Sequence, residues 1–169
     1  MPPLEREGTM CPYFCCSYPV LNLHQAKPKM PKVHVLLKKE ELDAELLAGK
    51  VVVVLDILFA TSTIVTAFQH GVTHVIPAMD EHHARREAEK HAVGSYLLAG
   101  EKNIKHIEGF GPPTPLALLK SDLGDKRLIY ATTNGTVALA KSAASEHVYA
   151  AALLNGKAVM QHVMATHQN

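Results

Sequence analysis

The chain has 169 residues, 47% of them apolar, and a formal charge of +1, which suits one α/β domain with its own core and argues against disorder. So small a charge gives no broad field for nucleic acid or an anionic membrane, and without tryptophan the chain is poor in base-stacking platforms. No apolar stretch reaches the length of a membrane span, since Val51 to Ala60 already contains Asp56, so the sequence reads as soluble, with neither nucleic acid nor membrane as a partner.

The first segment, 1–30, carries prolines at 2, 3, 12, 19 and 28 and no sustained periodicity. It predicts an irregular, disordered head in front of an α/β domain over 31–169, with Met30 as an alternative start. A signal peptide does not fit, because Glu5, Arg6 and Glu7 precede only a broken apolar stretch around Pro12. All three cysteines, Cys11, Cys15 and Cys16, lie in this head. The folded body therefore needs no disulfide framework, which fits a reducing, cytoplasmic setting. Cys11, Cys15 and His24 match no four-ligand zinc spacing.

From Lys32 to Leu37 the pattern predicts a short strand, followed by an acidic helix from Lys38 to Ala48 stopped by Gly49. Val51 to Leu58 reads as a buried strand, because its apolar residues run on without alternation, as in a central strand covered on both faces. Helix then alternates with strand: a helix from Ser62 to His70, a strand from His74 to Ala78, a charged surface helix from Asp80 to Ala92 and a strand from Tyr96 to Ala99. Beyond a loop with Pro112, Pro113 and Pro115 come a short helix from Leu116 to Lys120, a strand from Arg127 to Ala131 and a helix from Val137 to Ala144. A strand from His147 to Leu153 and a helix from Gly156 to Ala165 complete the pattern. This order specifies a three-layer α/β/α fold with a mostly parallel sheet and right-handed crossovers.

Ligands of such sheets sit beyond the carboxyl ends of the strands. Four of those ends carry small or polar residues: Asp56 with Thr61, Ser62 and Thr63; Glu101 with Lys102; Thr132, Thr133, Asn134, Gly135 and Thr136; and Asn155 with Gly156. The Thr132 to Thr136 run joins a strand to a helix, where free amides and a glycine form a ready anion seat, or where a Thr or Asn simply caps the helix. Asp56 lies inside an apolar run and must meet a cation or donors; it is either a Mg²⁺ ligand or the cap of the helix at Thr61 to Thr63. Glu101 is a candidate second metal carboxylate or general base and Lys102 a candidate clamp for an anionic oxygen, against the plain reading of an exposed pair opening a loop. His82 and His83 fall on the charged helix, and His70 and His74 flank a glycine turn. None forms a zinc motif, and neither a nucleophile elbow nor a phosphate-binding P-loop occurs.

Five ordered blocks, Asp56 to Ile64, Leu97 to Lys102, Glu108 to Phe110, Thr132 to Thr136, and Leu154 with Asn155, together resemble the 2-phosphosulfolactate phosphatase family over about Gly49 to Val163. The resemblance implies a Mg²⁺-dependent phosphoric-monoester hydrolase of coenzyme M biosynthesis acting on a small anionic phosphoester such as 2-phospho-3-sulfolactate. It gives Asp56, Glu101 and Lys102 catalytic parts, Asp56 and Glu101 to the metal, and Thr61, Ser62, Thr63, Thr132, Thr133, Asn134, Gly135, Thr136 and Asn155 to the substrate. Where the family carries Arg, this chain has Phe59, Lys102 and Val137, and its Asn-Ser-Pro segment becomes Pro113-Thr114-Pro115. Fewer guanidinium forks weaken recognition of a substrate with several anionic groups. The family pattern also continues well beyond His167, through an acidic block of the site. The alternative readings are a non-catalytic anion-binding remnant of the family, or a structural homo-oligomer built on an exposed sheet edge.

Overall fold

The computed structural model describes residues 32–167; the head expected over 1–30 lies outside them. Six strands and five helices follow one another as β1 (Val51–Leu55), α1 (Ala60–Gln69), β2 (His74–Ala78), α2 (Glu81–Ala88), β3 (Tyr96–Lys102), β4 (Lys105–His106), α3 (Pro115–Leu118), β5 (Arg127–Ala131), α4 (Gly135–Lys141), β6 (His147–Ala151) and α5 (Gly156–Thr166). Among the described residues no helix is long and apolar enough to cross a membrane.

The order within the larger sheet is β2-β5-β3-β4, parallel except for β4, which folds back antiparallel on β3. β5 sits inside it, and its side chains alternate between two cores. Leu128 and Tyr130 join Ile64, Ala67, Leu118 and Leu139 on the side of α1, α3 and α4. Ile129 and Ala131 join Ala84, Ala88, Ile107 and Phe110 on the side of α2. With helices over both faces, the predicted three-layer α/β architecture is what folds. Pro77 is tolerated in β2 because β2 is an edge strand, paired only with β5.

Four expectations are corrected. The strands do not form one continuous sheet: β1 pairs in parallel with β6 alone, as a separate two-stranded sheet. The run from Val51 to Leu58 is not one strand covered on both faces; β1 stops at Leu55, which is exposed, because the Asp56 N–H turns to the Thr61 hydroxyl (3.0 Å) instead of a neighbouring strand. Lys32 to Leu37 forms no strand, because no neighbouring strand bonds to it; Val33 and Leu37 stay 82% and 85% exposed. In place of a helix from Lys38 to Ala48 there are two single 3-10 turns, Lys39–Glu41 and Ala44–Leu46, neither with a buried residue to anchor a longer helix.

Candidate active site

β1 and β6 run parallel, as do β2, β5 and β3, so the polar loops predicted to hold the site all leave at carboxyl ends. Gly135 brings the two sheets together. A Cβ at this position would lie 2.5 Å from Asp56 Oδ2 and closer still to the Ala60 Cβ, so only glycine lets the turn after β5 touch the loop after β1. A second glycine matters in the same way, since a Cβ on Gly100 would run into the Ala131 carbonyl and push β3 off β5 just before Glu101.

Asp56 is half-buried, and the backbone amides of Gly135 and Ala60 lie against its carboxylate. Burial raises its pKa above the ordinary value, and the nearby Glu101 charge adds to the rise; the two amides oppose it and do not cancel it. Glu101 accepts three hydrogen bonds: from the Thr133 N–H at 2.6 Å, the Thr133 hydroxyl at 2.9 Å and the Ile104 N–H at 2.6 Å. The Thr133 hydroxyl in turn accepts the Asn103 N–H at 2.7 Å. The carboxylate thus ties the end of β3 and its hairpin to the turn after β5.

The run from Thr132 to Thr136 is an anion seat whose occupants are the protein's own carboxylates. Its Thr133 amide goes to Glu101, its Gly135 amide faces Asp56, and its Thr136 amide goes to the Thr132 hydroxyl at 3.1 Å. Thr132 and Thr136 are buried and satisfy each other, the Thr132 N–H donating to the Thr136 hydroxyl at 2.7 Å. Asn134 is exposed, and its Oδ1 accepts from Lys39 Nζ at 2.7 Å. That brings to the turn a cation the sequence did not single out.

The other predicted residues divide in the same way. Thr61 and Thr63 are wholly buried; Thr61 closes the Asp56 loop, and the Thr63 hydroxyl bonds to the Phe59 and Pro113 carbonyls at 3.0 and 2.8 Å. The Ser62 hydroxyl donates to the Ile57 carbonyl at 2.8 Å. Asn155 spends both ends of its amide on the turn after β6, donating to the Ala150 carbonyl at 3.0 Å and accepting from the Ala152 N–H at 2.8 Å. These groups build the loops. Lys102 is set apart, because neighbouring residues of a strand face opposite ways. It lines a groove of about 440 Å³ with Glu81, Lys105, His106 and Glu108, away from the Glu101 carboxylate.

Two further residues escaped the sequence reading. Tyr130, wholly buried in β5, donates its hydroxyl to the Pro113 carbonyl, which also takes the Thr63 hydroxyl. Burial pushes the Tyr130 pKa up, so it stays a neutral donor. Its signal was a lone tyrosine among the aliphatic residues that follow Arg127, which needs a buried partner for its hydroxyl. Lys39 gave no signal, since it lies far from the turn in sequence.

Among the described residues neither Asp56 nor Glu101 has a basic ion-pair partner, and the Glu101 charge is felt at Asp56. Two hard oxygen donors without a counter-charge suit a hard divalent cation, which needs one or two carboxylates and fills its other positions from water and ligand. No cluster of three or more His, Cys, Asp or Glu with metal-binding geometry occurs among the described residues. Asp56 has the freer oxygens, because Glu101 already accepts three bonds.

The family model for 2-phosphosulpholactate phosphatase matches residues 36–169. Proteins named as probable 2-phosphosulfolactate phosphatase are similar at 34% identity in Clostridium beijerinckii, 37% in Clostridium perfringens and 39% in Caldanaerobacter subterraneus. These matches cover 76%, 78% and 73% of this chain and 54%, 55% and 52% of the relatives. The chain therefore spans about half the length of the curated relatives it matches. With its fold, its ordered blocks and this extent of match, the chain belongs to the 2-phosphosulfolactate phosphatase family.

Proposed function

We propose that the chain provides the carboxylate centre of a Mg²⁺-dependent phosphoric-monoester hydrolase whose substrate is a small, multiply anionic phosphoester of the 2-phospho-3-sulfolactate type. The observation that carries this reading is the turn after β5, whose Gly135 amide faces Asp56 and whose Thr133 amide binds Glu101, with no basic ion-pair partner for either carboxylate among the described residues. The relatives' names support the reaction class.

Asp56 and Glu101 would hold the cation, which supplies Lewis-acid polarisation of the phosphoryl oxygens when bound. The chain's own part is orientation. The Gly135 and Ala60 amides fix Asp56, and Thr133 with Ile104 fixes Glu101, so both carboxylates are set before a ligand arrives. Asn134, exposed, and Lys39, half-buried, bonded to Asn134 and paired with Glu40 at 3.3 Å, are the polar groups of this turn that would meet anionic oxygens of the substrate. The raised proton affinity of Asp56 has a consequence for pH: the carboxylate ionises later than an ordinary aspartate, and a bound cation would favour its ionised form.

The test is phosphate release from 2-phospho-3-sulfolactate and from a simple aryl phosphate, with Mg²⁺ and with EDTA. Turnover that EDTA abolishes, and that Asp56→Asn lowers by about 100-fold or more, is the expected result. Sulfolactate or phosphate binding by calorimetry without turnover, unchanged in Asp56→Asn, would instead assign the chain a non-catalytic anion-binding role.

A further inference from the structure

One group of exposed apolar side chains lies in the loops that follow β1 and β6 and on α5. Leu58 and Phe59 stand out in the loop after β1, and Leu153 and Leu154 in the loop after β6. These loops begin side by side, because Leu55 and Ala151 end their strands in register and in parallel. The second loop runs into α5, eleven residues long with none buried. On α5, Val159, Met160, Val163 and Met164 fall on one helical stripe; the valines are half-buried and the methionines, one position further round, are exposed. β6 therefore covers only part of the helix's apolar stripe, and the helix follows directly on the exposed Leu153 and Leu154. Exposed apolar side chains grouped in this way mark an interaction site.

The second observation is the length of the relatives. The match takes in both loops and α5, yet accounts for only 52–55% of each relative, so the family carries about as much chain again outside it. We infer that Leu58, Phe59, Leu153, Leu154, Met160 and Met164 form the seat for that remaining half of the family fold, a polypeptide segment bringing its own apolar face. It packs on the open side of α5 and the two loops, and it closes over the edge where Asp56 lies. The inference rests on family membership and not on the chemistry proposed for the site.

The experiment compares the 169-residue chain with a fusion carrying the part of the C. perfringens relative outside the matched region, joined at the terminus where that relative carries it, by hydrogen exchange and mass spectrometry. In the fusion, peptides over 56–59 and 152–164 are expected to exchange about 10-fold more slowly or better, while those of β5 stay unchanged. Leu153→Asp with Met160→Asp, both at exposed positions, should restore fast exchange in the fusion and leave the melting temperature of the 169-residue chain unaltered. Equal exchange in both proteins with β5 still protected would overturn the inference, as would protection that survives the double substitution. If the fusion loses protection at β5, the separate segment is titrated onto the chain and the same peptides are read, with absence of protection again overturning it. A dimer of the 169-residue chain that protects these peptides and persists in the fusion would give the face to a second copy and sink the inference. Protection without phosphate release supports the seat and counts against the phosphatase reading alone.

Discussion

β5 and β6 are both five-residue parallel strands that end in alanine at the edge of the site, yet β5 buries four of its residues and β6 one. β5 has a strand on either side and a core above and below. β6 has β1 on one side, and the helix that follows it buries nothing. The turn after β5 spends its amides on Glu101 and Asp56, linking elements distant in sequence. The turn after β6 is closed locally by Asn155, and α5 is steadied near its end by the Tyr149 hydroxyl at 3.0 Å from His167 Nε2. The difference shows where rigidity for the carboxylates comes from: the four-stranded sheet holds the site, and the two-stranded sheet presents Asp56 to it.

The contrast breaks most visibly in the two cores. Leu128→Ala, at a wholly buried position of β5, should lose about 2–5 kcal/mol in urea unfolding, whereas Met160→Ala should stay within about 0.5 kcal/mol. Comparable losses would mean that α5 is as tightly packed as β5. Next comes the link between β3 and the turn after β5: Glu101→Ala leaves the Thr133 and Ile104 amides without their acceptor and should lower stability by about 1–3 kcal/mol. The same substitution should speed exchange at the Asn103 amide, which bonds to Thr133.

The hairpin between β3 and β4 gives a smaller effect of opposite sign. Its central residues Asn103 and Ile104 have φ of +52° and +67°, as a tight two-residue hairpin demands, but a β-branched residue is strained there. Ile104 is 97% exposed and packs on nothing, so Ile104→Gly should raise stability by about 0.5–1 kcal/mol, measured by thermal melting. The last effect is the pH dependence of Asp56. Its folded pKa lies above the ordinary 3.8, so the folded state binds the proton more tightly than the unfolded one, and stability falls as pH rises through that raised value. In EDTA, Asp56→Asn should therefore melt higher than the wild type at pH 7, with the gap closing as pH is lowered toward 3.8. A variant less stable at pH 7 would show that the ionised carboxylate, held by the two amides, stabilises the loop.

The strands His74–Ala78 and Arg127–Ala131 were legible to the residue, because each is a compact apolar run between turn signals. β3 runs on to Lys102, past the predicted Ala99, and β4 was unforeseen, since Asn103-Ile104 lacks the asparagine-glycine signature of such a turn and Lys105–His106 shows no alternation. The segment from Lys32 to Leu37 alternates as far as Val35 and is apolar beyond it, but such a pattern makes a strand only where another strand can bond to it. At the site, polar strand ends were readable, but their allegiance was not. Whether Thr133 meets a ligand or Glu101 depends on β3 lying next to β5, a pairing that no local pattern encodes. Lys102 was separable in principle, because a strand read through to 102 would have sent it to the face opposite Glu101.

The contact of Gly135 with Asp56 and Ala60 couples three positions into one steric unit. None of the three can grow without moving another, so sequence drift within this chain's lineage must treat them jointly. The neighbouring Asn134, exposed, is free of that constraint.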